Sequence, residues 1–343
     1  MRWTNILTVA FVVFLFFSAC GDKFNAPEQD IDSGGTTAVD DTTYIQLRPI
    51  WDRAGGYDFL EPHDILVGRE TLVYVADTGN NRITMLDLAG NVLGHSARID
   101  SPVAVAQDPR LRLLIVTGRN YLFRIDLFEY AHDIAGAAID TLHYAVDRPG
   151  WHFNGVDAFI TSEDGIYYMV TCSGDSRNDN QILKFNEDGS LQGPLPLTPA
   201  GTGLFAAADP AGITALRDGS VDFIYSQRGE NFYKVQVITT DAFGWKPKLD
   251  PTSGGDLFTV GKFTSPENIA LDGDGFIFVV DSAEHRVFKF AGTGKEYESF
   301  GEQGSGEVMF QHPHGVAEFD GTVFVSDTGN DRIVRFRLST DTK

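Results

Sequence analysis

From Pro62 onward the chain repeats one rhythm of apolar and polar positions. A short apolar stretch opens after a proline or glycine, as at 62–67, 266–271 and 313–319. A polar turn follows, clearest in the D-G-D-G of 272–275, and then a β-branched and aromatic run such as Phe276 to Val280 or Thr322 to Val325. Runs of this composition bounded by turn residues predict strands. A D-T-G-N element turns the chain, since Gly and Asn tolerate left-handed backbone. A strand of alternating basic and apolar residues, Arg332 to Arg337, leaves the turn. A fourth strand is predicted after N-E-D-G at 186–189 and A-G-T-G at 291–294, through Leu191 and through Tyr297 to Phe300.

The rhythm has a period. V-A-D-T-G-N-N-R at Val75 to Arg82 returns as V-V-D-S-A-E-H-R at Val279 to Arg286 and as V-S-D-T-G-N-D-R at Val325 to Arg332. Asp281 and Asp327 lie 46 residues apart, and the 204 residues between Asp77 and Asp281 divide into four steps of 51. Strand-rich repeats of about 40 to 50 residues build propeller blades. The prediction is an all-β, six-bladed propeller over 43–343. Blade two runs from Pro102 through Leu113–Val116 to Leu122–Ile125, and blade three from Asn154 through Ile166–Val170 to Gln181–Phe185 with a long tip at Asp175–Asn180. Blade four takes Gly212–Leu216, Val221–Tyr225 and Phe232–Val237. The chain stops after the third strand of blade six. The stretch after Thr43 parallels the stretch after Glu296, so an N-terminal strand is expected to pair into blade six and close the ring, leaving no open edge.

These blades resemble NHL repeats, a six-bladed propeller family, at D-T-G-N-N-R (77–82), D-S-A-E-H-R (281–286) and D-T-G-N-D-R (327–332). The resemblance implies that Asp77 with Arg82, Asp281 with Arg286 and Asp327 with Arg332 are scaffold partners across their hairpins. Blades two to four lack this signature. His285 replaces an Asn in its tip and is expected in solvent. His152 and His312 are expected on the rim.

Residues 1–19 read as a cleaved export signal: Arg2, an apolar run from Ile6 to Phe17 too short to span a bilayer comfortably, and small residues before Cys20. Small residues directly before a cysteine resemble a bacterial lipoprotein signal, which implies lipidation of Cys20; an ordinary soluble export signal is the alternative. Gly21 after the cysteine favours an outer-membrane address. Residues 20–42 are polar and without apolar period, which predicts a flexible tether. Cys172 is the other cysteine, so the propeller has no internal disulfide to form. The net charge of −21, from 27 basic and 48 acidic residues, repels nucleic acid and excludes it as partner.

Inner strands of a propeller line its axial channel, so equivalent positions at their starts converge on one mouth. Those positions are His63, Val103, Asn154, Ala211, Glu267 and His314. Glu267, His314 and His63 are consecutive around the ring, and two imidazoles with a carboxylate form a candidate zinc set. The alternative is that the histidines bind water or backbone. The P-H pairs at Pro62–His63 and Pro313–His314 resemble the zinc-holding positions of peptidyl-hydroxyglycine lyases, which use three histidines from non-adjacent blades. Six-bladed lactonases hold a divalent cation such as calcium with carboxylate and amide oxygens, for which Glu267, Asn268 and Asn154 are available. The tip Asp175–Asn180 lacks the ordered alternation of a calcium loop. There is no G-x-S-x-G elbow, phosphate loop or Cys–His nucleophile. The preferred expectation is a lipid-anchored, non-catalytic envelope module that binds a protein or small molecule. The alternative is a metal-dependent lyase or hydrolase at the channel mouth.

Overall fold

The computed structural model describes residues 43–160, 165–197, 204, 206–216, 222–249 and 255–341. The export signal, Cys20 and the tether of 20–42 lie outside the described residues. Six four-stranded antiparallel sheets form six blades, as the repeat predicts. Their inner strands are Pro62–Val67, Pro102–Gln107, Trp151–Ile160, Pro210–Ala215, Pro266–Leu271 and Gly315–Phe319. Blade one continues through Val73–Asp77, Arg82–Leu86 and Val92–His95, and the other blades follow the same order outward.

The core is divided by blade. Six hydrophobic clusters fill the six seams between neighbouring sheets. Each blade therefore buries both faces, and second strands such as Val73–Asp77 and Ile277–Asp281 are buried along their whole length. That is why these runs are apolar without alternation.

Ring closure follows the expectation. Tyr44–Gln46 adds antiparallel to Arg332–Leu338, with Tyr44 opposite Leu338 and Gln46 opposite Phe336. Trp51 bridges Ile333 further along. Tyr44 packs in the seam between blades five and six, and Trp51 in the seam between blades six and one. One short segment thus stitches both sides of the closing blade.

Strand direction distinguishes the two faces. The tips between second and third strands, such as Thr78–Asn80 and Thr328–Asn330, lie on the face where the inner strands begin. Turns between third and fourth strands lie on the other. Tyr44 pairs with the far end of the third strand of blade six, so the chain enters the ring on the face opposite the inner-strand starts.

The Asp–Arg signature holds in two blades and fails in the third. Arg82 Nε donates to Asp77 at 2.8 Å and Arg332 Nε to Asp327 at 2.7 Å. In blade five no ion pair joins Asp281 to Arg286, although the two are opposed in register. Asp281 instead accepts the amides of Thr264, Ser265, Ala283 and Glu284. Arg286 is exposed and donates to the Gly301 carbonyl at 3.2 Å. The tip there reads S-A-E, so it lacks the asparagine that donates to Asp77 and Asp327 in the other two blades.

Candidate functional site

An axial cavity of about 240 Å³ is lined by the inner strands of all six blades. All six predicted ring residues line it. A local backbone feature aims them there. In five blades the register shifts where the inner strand begins, between Pro62 and Asp64, Pro102 and Ala104, Phe153 and Gly155, Pro210 and Ile213, and Pro266 and Asn268. Each shift contains the ring residue. A bulge leaves one residue unpaired and re-aims its side chain, here toward the axis. Blade six reaches the same result without a bulge: His314 precedes its strand and donates its amide to the Ser326 carbonyl at 3.1 Å.

His63 and His314 meet across the seam between blades one and six, with ring centroids 4.2 Å apart. Their tautomers follow from their partners. His63 Nδ1 lies 2.9 Å from the Val103 carbonyl and His314 Nδ1 3.0 Å from the His312 carbonyl. A carbonyl only accepts, so each Nδ1 carries the hydrogen and each neutral Nε2 is a lone-pair acceptor. Thr328 Oγ1 lies 3.0 Å from His314 Nδ1 and donates to the Pro62 carbonyl, fixing the seam behind the rings. Burial, and then the neighbouring His314 and Arg228, hold His63 well below the ordinary histidine range. His314 is lowered chiefly by burial, opposed by the charge of Glu267.

Glu267 lines the same mouth but is committed to protein partners. Its Oε1 accepts from Ser265 Oγ at 2.9 Å and Ser282 Oγ at 3.1 Å, and its Oε2 faces Arg228 Nη1 at 3.3 Å. Arg228 is itself forked onto Asp209, at 3.1 and 2.9 Å. Among the described residues no three His, Cys, Asp or Glu side chains are grouped to hold a metal ion. Asn154, across the ring, spends both amide hydrogens on Ser173 Oγ at 3.0 Å and the Pro210 carbonyl at 2.8 Å. Its Oδ1 is thereby a third acceptor in the mouth wall.

Arg228 escaped the sequence reading, yet its position carries a signal. It is the first tip residue of blade four, where blades one, five and six carry Thr78, Ser282 and Thr328. The two threonine hydroxyls reach the next blade, Thr78 donating to the Pro102 carbonyl at 2.6 Å and Thr328 to the Pro62 carbonyl at 2.7 Å, while Ser282 stays within its own blade on Glu267. A long cation at that place reaches the next blade's ring residue instead.

Below the mouth the channel narrows. A Cβ on Gly315 would lie 2.8 Å from Asp64 Cα, and one on Gly212 2.7 Å from Asn268 Cα. Asp64, buried in this waist, accepts from Val105 N at 2.8 Å on blade two and Asn268 Nδ2 at 2.6 Å on blade five. It satisfies inner-strand amides that have no strand to pair with. Burial pushes its carboxyl up to about 7 against the pull of these donors.

Two other histidines extend the line on this face. His285, expected in solvent, is buried. It takes the left-handed conformation at φ 53° that Asn81 and Asp331 take in the equivalent positions. Its Nδ1 accepts the His312 amide at 3.0 Å, and the two rings lie 4.7 Å apart. The preceding loop of blade six folds over the tip and covers it. His152 and His312 are exposed at the rim. Cys172 is fully buried, and burial pushes its thiol up to about 12.

No family model matches the chain. It is 28% identical over 203 residues to the human NHL repeat-containing protein 3, a match covering 56% of each chain. The chain thus aligns with about half the length of that curated relative. Among solved structures it resembles an auxiliary nutrient binding protein of Bacteroides thetaiotaomicron, with TM-score 0.61, 13% identity, and coverage of 87% of this chain and 76% of that one. It also resembles a gluconolactonase of Xanthomonas campestris, with TM-score 0.56, 13% identity, and coverage of 87% and 95%. At such identities the structures show the fold alone. With the blade count they show the molecule to be a six-bladed β-propeller, and its repeat signature is similar to that of NHL repeats.

Proposed function

We propose that this propeller is a binding module of a bacterial cell envelope, anchored by lipid at Cys20, which receives its ligand at the histidine mouth. One observation carries the reading. The charged groups of the mouth, Arg228, Asp209 and Glu267, are spent on one another, while His63 Nε2, His314 Nε2 and Asn154 Oδ1 are acceptors whose companion donors are already used. A wall of fixed acceptors recognises a ligand rich in N–H or O–H donors, an amine or polyol, or the donor-bearing edge of a protein partner. The chain enters on the opposite face, which leaves the mouth turned away from an anchoring membrane. The nutrient-binding protein that shares this fold is consistent with such a role. Calorimetry of the full chain with amines and polyols, against carboxylates of equal size, tests it. Binding of a donor-rich solute, abolished by His63→Phe with His314→Phe, supports the proposal; binding of carboxylates alone sinks it.

A second reading is a metal-dependent lyase or lactone hydrolase. Its support is the anchoring of both Nδ1–H groups on backbone carbonyls, which holds each Nε2 ready as a ligand in the manner of metal-bound histidines. His63 and His314 would hold zinc, with Glu267 as third ligand once released from Arg228, whereas calcium would draw on the oxygens of Glu267, Asn268 and Asn154. The metal would supply Lewis-acid polarisation of a substrate oxygen. Elemental mass spectrometry of the full chain beside His63→Ala with His314→Ala decides it: about one ion per chain, lost in the variant, favours the enzyme.

A further inference from the structure

We propose that the face opposite the histidine mouth rests on a lipid bilayer, with Phe128 and Phe243 inserted as aromatic anchors. The inference rests on the lipid-anchor reading above. Phe128 is 75% exposed and Phe243 fully exposed. Both lie in turns between third and fourth strands, of blades two and four, and therefore on the same face. Phe243 stands between Asp241 and Gly244 at a hairpin tip, where Asp241 caps its amide at 2.8 Å and holds the ring outward. Neither ring belongs to a core cluster.

The chain itself argues for the occupant. Thr43 enters the ring on this face, since Tyr44 pairs with Leu338. Residues 20–42, with Cys20 at their start, connect there. Residues 20–42 are all the chain that separates the anchor from this face, so this face, rather than the mouth, is the one kept toward the bilayer. Aromatic side chains settle at the headgroup boundary, where a ring is partly removed from water. The mouth face also exposes apolar side chains, Leu60, Val146, Phe232 and Val260, but the chain does not enter there.

Single-cysteine labelling tests the geometry. Buried Cys172 resists the reagent and Cys20 is acylated, so Phe128→Cys, Phe243→Cys and Val260→Cys each offer one site for an environment-sensitive fluorophore on the lipidated full chain. The chain is reconstituted in phosphatidylcholine vesicles. The expected result is a blue shift at 128 and 243 and none at 260. No shift at 128 and 243 in protein that floats with the vesicles overturns the docking and leaves the anchor standing. A shift at 260 alone means that the mouth faces the lipid, which also overturns it. Protein that fails to float, with Cys20→Ser behaving identically, removes the anchor and the docking together.

Discussion

Trp51→Ala is expected to weaken the whole propeller, because this residue holds the segment that closes the ring. Trp51 is fully buried in the seam between blades six and one. It stacks on Tyr57 at 6.0 Å and tilts against Phe324 at 6.0 Å, and the Arg335 guanidinium lies 4.6 Å over its ring. A buried Trp→Ala change costs about 3 to 5 kcal/mol from lost transfer energy and the cavity left behind. The backbone bridge to Ile333, at 3.1 and 3.0 Å, survives the substitution, so about 4 kcal/mol is expected. For a domain of about 300 residues the unfolding entropy near 60 °C is roughly 0.6 kcal/mol/K, which makes the drop in melting temperature about 6 to 7 °C. Trp51→Phe separates packing from polarity. The indole Nε1 is buried with no hydrogen-bond partner, so the phenyl ring loses volume but also removes an orphan donor. Its cost should be near 1 kcal/mol, the lost packing being largely offset by relief of that donor. Thermal and urea unfolding of the full chain read both variants. A Trp51→Ala protein that melts with the parent would refute the argument that the N-terminal segment closes the ring.

Four further outcomes follow from the geometry. Arg332→Ala leaves buried Asp327 without its cation and frees the Ser305 and Met309 carbonyls it binds; urea unfolding should show a loss of about 3 to 5 kcal/mol. Arg286→Ala, at the matching place in blade five, should stay within about 0.5 kcal/mol, because its side chain is exposed and makes no ion pair with Asp281. Acid should destabilise the mouth. His63, His314 and His285 are all lowered in the fold, so the unfolded chain binds more protons below its own histidine pKa. The stability they contribute is complete above about pH 6.5 and is lost as pH falls below it; melting curves between pH 7.5 and 5 should flatten in His63→Asn with His314→Asn. Cys172 should react with a thiol reagent at the unfolding rate only, and prompt reaction in the native protein would contradict its burial.

Much of the molecule was legible in the chain because the blade is a local object. Its strands are consecutive, its turns carry Gly, Asn and Asp where the backbone turns left-handed, and its period repeats. Blade number, ring order and the closing strand at Tyr44 follow from spacing alone, since each depends on nearest neighbours in sequence or on the missing fourth strand of blade six. The positions that converge on the mouth were readable for the same reason. What those residues do there was not. The bulges that turn His63, Asn154 and Glu267 inward arise from pairing between strands. The partners that fix each histidine's tautomer, Val103 for His63 and His312 for His314, come from neighbouring blades and a preceding loop. Arg228 reaches Glu267 from 39 residues away, and Asp64 binds Asn268 from 204 residues away. The D-S-A-E-H-R motif shows the limit most plainly: it preserves the Asp and Arg of its siblings, yet the carboxylate is claimed by four backbone amides. Local spacing determines which residues can meet. Only the closed ring decides which hydrogen bonds win, because each acceptor is contested by donors from adjoining strands, loops and blades.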